Sequence, residues 1–325
     1  MKPHSTSESH RASSKKLLVL GELNIDLILN DIQGFPSIGT EITAEDMNFT
    51  LGSSSAIMAS NCASLGISTS FCGMLGKDDF GRFIIQELQS RKVDTSLIEQ
   101  TSEAKTGITI VMNYDQDRAN VTYCGAMDLL TPERIPWDAI KDYDHLHLSN
   151  FFLQKGIRNS VVEIFKRAKA AGLTTSLDMQ WDPQEKWDFD YQTCLPLVDF
   201  FLPNEAELKA LTAMDDIDRA IEHLRPFINI LALKRGNKGG RVIQGDTVLD
   251  APPFLNDHFV DAIGAGDSFN AGFIEKYLQQ ASLEDCLINA NLIGSLSTTA
   301  AGGTGAFTSK AEIQLKKEQI RHGKL

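Results

Sequence analysis

The chain has 325 residues, 42% of them hydrophobic and 23% charged, with a formal net charge of −12. That length and apolar content fit one large α/β domain or two ordinary ones. The acidic balance argues against nucleic acid and membrane surfaces as partners, because both call for a basic face.

Residues 1–16 are polar, rich in Ser and His, and lack an apolar stretch. They read as a disordered tail rather than a signal peptide, with a folded domain over 17–325. No apolar run is long enough to span a membrane. The run LLVLG at 17–21, continuous apolar residues stopped by Gly, has the form of a buried parallel strand. Asn24 and Asp26 stand just past its end, where open α/β sheets hold their ligands. Residues 53–65 predict a helix stopped by Gly66, 69–76 a strand and turn, and 80–91 an amphipathic helix. GITIVM at 107–112 and ANVTY at 119–123 flank a polar segment and predict a hairpin, an excursion from the main sheet such as a lid.

Strand and helix then alternate. Strands are expected at 144–148, at 174–177 ending in Asp178, at 200–202 ending in Pro203-Asn204, and at 228–233 ending in Lys234. Helices are expected at 160–171, closed by Gly172, and at 205–211. This order predicts a mostly parallel sheet with helices on both faces, a three-layer αβα architecture. Asp26, Asn150, Asp178, Asn204 and Lys234 recur at strand ends; one such residue is usually a helix cap, but five on one edge suggest a cleft. The cysteines Cys62, Cys72, Cys124, Cys194 and Cys286 form no C-x-x-C pair. An odd, scattered set speaks against a disulfide framework or a zinc knuckle and for free thiols in a reducing cytoplasm.

The most informative stretch is DAIGAGDSFNAGF at 261–273. Gly264-Ala265-Gly266 is small enough for bare backbone to approach an anion, and a helix predicted from Ser268 would put those amides at its N-terminus, where unpaired N–H groups and the dipole favour phosphate. Asp267 falls in the first turn. It is either an N-terminal capping charge or a base that takes a proton from a hydroxyl attacking the phosphate.

Several segments together resemble the PfkB/ribokinase family of carbohydrate kinases, over about residues 17–310. DAIGAGDSFNAGF is similar to that family's C-terminal signature. The others, in order, are GELNIDLIL, LGSSSAIMASNCASLG at 51–66, GMLGKDDFGRF at 73–83, TGITIV, PNEAEL at 203–208 and KRGNKGG at 234–240. The resemblance implies a ribokinase-like fold with a small β lid at about 39–51 and 105–125. It also implies transfer of the ATP γ-phosphoryl to a hydroxymethyl group, with Asp267 as general base and Gly264, Ala265 and Gly266 forming an anion hole. Asn24, Asp26, Gly52, Ser53, Ser54, Asn150 and Asp178 would face the substrate. Lys234, Gly236, Gly239, Asn291 and Gly303 would face ATP, and Asn204 and Glu207 would hold Mg²⁺ through water. The family also binds K⁺, here by backbone oxygens near Asp261, Ile263 and 300–305, and its lid pairs two subunits in some relatives.

Three departures stand out. Ala262 replaces a Thr or Ser. Ser53 replaces the second glycine of the N-terminal signature, and Ile57 replaces an Asn that reads sugar hydroxyls. Where sugar-acid kinases carry D-P-N-Y-R, this chain has Asp178-Met179-Gln180-Trp181-Asp182, and an Asp in place of Arg points away from a substrate carboxylate. A neutral ketohexose or pentose such as fructose or ribose is therefore the expected acceptor. A nucleoside kinase, with Trp181 and Ile57 cradling a base, is the alternative within enzymes, and a catalytically weak sugar- or nucleotide-sensing protein is the alternative outside them.

Overall fold

The computed structural model describes residues 15–114 and 117–324. Residues 1–14 of the expected tail and 115–116 at the hairpin tip lie outside the described residues. Lys16, placed in the tail by the sequence reading, opens the first strand. In chain order the strands are β1 (Lys16–Leu20), β2 (Asn24–Asn30), β3 (Asp46–Leu51), β4 (Ser68–Gly76), β5 (Asp94–Thr101), β6 (Gly107–Tyr114) and β7 (Asp117–Tyr123). They continue with β8 (His145–Ser149), β9 (Thr174–Asp178), β10 (Phe200–Phe201), β11 (Ile230–Lys234), β12 (Gly240–Gln244) and β13 (Thr247–Ala251).

Among the described residues these strands form two sheets, one ordered β13-β12-β11-β10-β9-β8-β1-β4-β5 and one ordered β3-β2-β6-β7. In the large sheet every pairing from β11 to β5 is parallel. The antiparallel edge made by β12 and β13 was not foreseen. Strand β1 shows why the architecture has three layers. Leu18 and Leu20 join one core, under the helices Val161–Ala170, Glu205–Thr212 and Ile217–Leu224. Leu17 and Val19 join another, under Ser54–Leu65, Ala265–Leu278 and Leu283–Ser297. A stretch of strand buried on both faces must be apolar throughout, as Leu17–Leu20 are once the exposed Lys16 is passed. Strand β4 runs on through Gly73 to Gly76, where a turn was expected. At Gly73 the Gly21 carbonyl comes within 2.8 Å of where a Cβ would stand, so this glycine permits close strand approach.

The second sheet is the lid, and β2 belongs to it. Asn24 and Asp26 therefore sit on a lid strand and not in a loop past β1. Its cross-strand rows alternate with the two-residue period of a strand. Thr50, Asp26, Thr109 and Thr122 form one row, and Phe49, Leu27, Ile110 and Val121 form the next on the opposite face. In the large sheet, Asn150 follows β8, Asp178 ends β9, and Asn204 bridges to Lys234 at the end of β11. The carboxyl ends of the parallel strands thus bring these polar residues to one edge, beneath the lid. Among the described residues no helix is long and apolar enough to cross a membrane.

Candidate active site

Gly264 is the N-cap of the helix Ala265–Leu278, with φ 73°. That left-handed backbone favours glycine, and a Cβ there would also collide with the Cα of Gly303. The Ala265 amide donates to the Ala262 carbonyl at 3.2 Å, so the open donors of the first turn are the amides of Gly266 and Asp267. Ala265 was expected to donate as well and is engaged instead. Asp261 stitches the neighbouring loops together, accepting from the amides of Ile263 (2.9 Å) and Gly302 (3.0 Å).

Asp267 lies at the floor of a cavity of about 470 Å³. Burial pushes its carboxyl well above the usual range, and the nearby carboxylates of Asp178, Glu22 and Glu207 push the same way while Lys234 opposes them. Lys234 Nζ pairs with Asp178 Oδ2 at 2.6 Å and lies 3.6 Å from where a Cβ on Gly266 would stand. Burial alone would lower its pKa; the charges of Asp178, Glu207 and Asp267 overcome this and hold it above the ordinary lysine value.

Asn204 and Glu207 line the same cavity and form a capping box at the start of the helix Glu205–Thr212. Glu207 Oε2 accepts from the Asn204 amide at 2.9 Å, and Asn204 Oδ1 accepts from the Glu207 amide at 2.8 Å. Burial, aided by Asp178, pushes Glu207 up to about 7. Among the described residues no group of three or more His, Cys, Asp or Glu side chains could hold a metal by itself. The pair does fit a hydrated Mg²⁺ that arrives on a nucleotide, since that ion keeps most of its waters and needs few protein ligands.

On the lid side, Asn24 Nδ2 donates to Asp26 Oδ1 and Thr109 Oγ1, both at 3.0 Å, and Asp26 is pushed up to about 6 chiefly by burial. Gly52 makes room for this pair, since a Cβ there would collide with the Asp26 carboxylate. Ser53 caps the helix Ser54–Leu65 through Ala56 N (3.0 Å) while holding φ 70°, the glycine conformation without a glycine. Ser54, Ile57 and Asn150 also line the cavity. So do Arg118, Asn120 and Thr122 of the lid and Gln180, none of which the sequence singled out. Gly264, Ser53, Asn150 and Gln180 all have φ between 54° and 73° and all face this one space. For glycine this conformation is unstrained, but for Ser53, Asn150 and Gln180 it is strain of the kind that concentrates at functional sites.

Glu22 was also missed. It is fully buried behind the cavity and accepts from Ser53 Oγ (3.1 Å), Asn150 Nδ2 (3.3 Å) and the Ser55 hydroxyl. Burial pushes it up to about 7.

A second cavity, of about 350 Å³, adjoins the first and shares Lys234, Gly236, Ala262 and Gly266 with it. It is lined by Phe254, Phe259 and Phe269, by Gly239, and by Asn291, whose Nδ2 donates to the carbonyls of Ala251 (3.1 Å) and Pro252 (2.9 Å). Gly303 is placed elsewhere than expected: it packs beneath Gly264 against Ile57 and does not line this cavity. Asp178 is likewise not at the cavity surface. It is sealed behind it, its Oδ2 taken by Lys234, Asn270 Nδ2 (2.6 Å) and Gln180 Nε2 (3.0 Å).

Asp182 and Trp181 lie elsewhere than their sequence positions imply. Asp182 does not face a substrate; its carboxylate is consumed by the backbone amides of Gln184, Lys186 and Trp187. Trp181 is 47% exposed, lies edge-on to Trp187 with ring centroids 4.9 Å apart, and lines neither cavity.

Residues 14–310 match the family model described as pfkB family carbohydrate kinase. The chain belongs to that family. It is a phosphotransferase, a carbohydrate kinase. An ATP-dependent ribose-1-phosphate kinase from Halopiger xanaduensis is 28% identical over 94% of this chain and 99% of its own length. The fold of the kinase matches that of an Arabidopsis thaliana ribokinase solved with ribose and ATP, at a TM-score of 0.81, 23% identity, and coverage of 94% and 99%. It matches equally an E. coli protein named as a ribokinase II and solved with ATP and Mg²⁺, also at a TM-score of 0.81, 23% identity, and coverage of 94% and 99%.

Proposed function

We propose that this kinase transfers the γ-phosphoryl of ATP to a hydroxymethyl group of a neutral sugar of ketohexose or pentose size. The observation that carries this reading is that a polar cavity and an apolar one meet at Gly266 and Lys234, by the N-terminus of the helix Ala265–Leu278, with the buried carboxylate of the next residue, Asp267, on the polar side. The polar cavity is sized for a sugar and lined by Asn24, Asp26, Ser53, Ser54 and Asn150, groups that pair with hydroxyls. None of its described lining residues is aromatic and Trp181 lies outside it, so no aromatic ring among them stacks a nucleobase, which disfavours a nucleoside acceptor. The apolar cavity, with its phenylalanines, suits adenine. The ligands of the ribokinase-fold structures above agree with ATP, Mg²⁺ and a sugar as the bound set.

In this reading the acceptor hydroxyl gives its proton to Asp267 as its oxygen bonds to the γ-phosphorus, and the bond from that phosphorus to the departing ADP oxygen breaks. A base with a raised pKa has more affinity for that proton. The Gly266 and Asp267 amides and Lys234 stabilise charge on the transferring group. Mg²⁺, held through water by Asn204 and Glu207, would neutralise charge on the β- and γ-phosphates. K⁺ would sit beside the loops that Asp261 joins. The lid's outer face exposes Met47 (56%), Val121 (59%) and Tyr123 (52%), an apolar surface on which a second copy of the lid would pack.

The test is ADP release with Mg·ATP over neutral sugars, sugar acids and nucleosides, with and without K⁺. One neutral sugar should respond far above the rest, and more strongly with K⁺. A best response from a nucleoside or a sugar acid would refute the acceptor class.

A further inference from the structure

We propose that Gln180 is the positioning residue of the base: its side-chain amide nitrogen fixes Asp267 Oδ1 and leaves Oδ2 for the acceptor hydroxyl. The inference deepens the reading of Asp267 given above and rests on it. Gln180 Nε2 stands 3.1 Å from Asp267 Oδ1 and 3.0 Å from Asp178 Oδ2. An amide NH₂ has two hydrogens, and ionised carboxylates only accept. Each carboxylate therefore takes one hydrogen, and the reverse orientation would set a carbonyl oxygen against two anions.

The contact closes a ring. Asp178 Oδ2 also accepts from Asn270 Nδ2 at 2.6 Å, and Asn270 lies three residues beyond Asp267 on the same helix. Asp178 thus grips the first two turns of that helix, directly at Asn270 in the second and through Gln180 at Asp267 in the first. Lys234 holds Asp178 from the phosphate side at 2.6 Å. The backbone is committed to the same end: Gln180 has φ 59°, and its own N–H donates to Asp178 Oδ1 at 3.3 Å. A left-handed, non-glycine residue that bridges two carboxylates at a cavity wall is strain held for placement.

Electrostatics give the clamp its purpose. Asp267 is faced by Asp178 of β9, Glu207 of the helix Glu205–Thr212, Glu22 past β1, and the cation Lys234 of β11, and Arg118 of the lid lines the same cavity. Three carboxylates disfavour the ionised base. A donor aimed at Oδ1 favours it and fixes which oxygen accepts the proton.

The experiment compares wild type, Gln180→Met and Gln180→Glu in steady state from pH 5.5 to 9, with the acceptor found in the panel above. The Met variant keeps the length and loses both donors. It should lose about 10- to 100-fold in kcat, the worth of a hydrogen bond to a charged group. KM for either substrate should change less than about threefold, and the acid limb of kcat should move up by about one pH unit. Gln180→Glu adds a fourth carboxylate at the base and should lose at least as much, with a larger upward move; it also serves if the Met variant fails to fold. In parallel, carboxyl-carbon NMR titration of Asp267, assigned by loss of its signal in Asp267→Asn, should show the same upward move with no acceptor present. A drop in kcat with neither the limb nor the carboxyl titration moved would reduce Gln180 to a structural residue and overturn the proposal. A change confined to KM would make it a substrate contact and also overturn it. If no acceptor turns over, the functional reading fails, and the carboxyl titration still decides the role of Gln180.

Discussion

Replacing Glu22 with Gln should flatten the pH dependence of stability by a predictable amount. Glu22 is wholly buried and its pKa is pushed from 4.5 to about 7, with burial as the main cause and the Ser55 and Asn150 hydrogen bonds opposing it. Between those two values the folded protein holds a proton that the unfolded chain has released. Stability therefore falls as pH rises through that window. A displacement of about 2.5 pH units corresponds to ~3 kcal/mol in full, of which about 2.5 kcal/mol falls between pH 5 and pH 8. Glu207, at about 7, and Asp26, at about 6, have the same sign and share the window, so the wild-type curve alone does not isolate Glu22. The difference between Glu22→Gln and wild type does. Gln keeps the shape and an acceptor for Ser53 Oγ and Asn150 Nδ2, and the Ser55 hydroxyl can reverse to accept from the new amide. Unfolding free energies from urea titrations at pH 5, 6, 7 and 8 should show the variant gaining on wild type by about 2.5 kcal/mol from the lowest to the highest pH. Parallel curves would refute the reasoning, since they would mean that Glu22 is ionised at the same pH in both states.

Asp267→Asn should lower kcat by roughly 10²- to 10⁴-fold, the range of a general base, with KM for Mg·ATP little changed; near-normal kcat would remove Asp267 from the chemistry. Because its pKa is raised, wild-type kcat should climb with pH along a limb above the ordinary carboxylate range, and a flat profile between pH 5.5 and 8 would contradict that. Gly264→Ala should lose most turnover and lower Tm, because its φ of 73° and its contact with Gly303 both exclude a Cβ; thermal melts and kcat together check this. Val121→Asp on the outer face of the lid should shift the sedimentation mass from dimer to monomer, and a wild type that sediments as a monomer would refute the lid interface.

The parallel strands were legible because burial on both faces leaves an unbroken apolar run, as at 17–20, and because Gly66 and Gly172 punctuate the helices. What escaped the reading were features that depend on long-range pairing. Strand β2 looks like a loop after β1 until it pairs with β3 and β6. The glycine motif pointed to the helix N-terminus that begins at Gly264, but not to Gly303 lying behind it. Asp178 and Asp182 are both carboxylates just past a predicted strand, and nothing local distinguishes them. Pairing to Lys234 and Asn270 makes one an anchor of the site, whereas backbone amides of its own loop absorb the other. Glu22 and Gln180 were invisible for a related reason: a lone Glu or Gln in a turn is ordinary, and only the fold surrounds it with partners. Ser53 is the exception, because replacement of a glycine was visible in the sequence, and the structure adds that the backbone kept the glycine's left-handed φ.

The lid makes the strongest link between sequence period and function. In GITIVMNY the side chains of Thr109 and Val111 line the polar cavity, and Ile110 falls in the row that faces away. The partner rows agree: Asp26 and Thr122 face inward, and Leu27 and Val121 outward. A slip of one residue in the β2–β6 pairing would bring Ile110 over the cavity and turn Thr109 toward the outside, exchanging both faces at once. The polar face toward the cavity, and with it the proposed sugar recognition, is therefore not separable from the apolar outer surface of this sheet. Both are set by one register, which is held by hydrogen bonds from Asn24 to Thr109 and from Asn113 to Asn30 and by the Thr109–Thr122 pair.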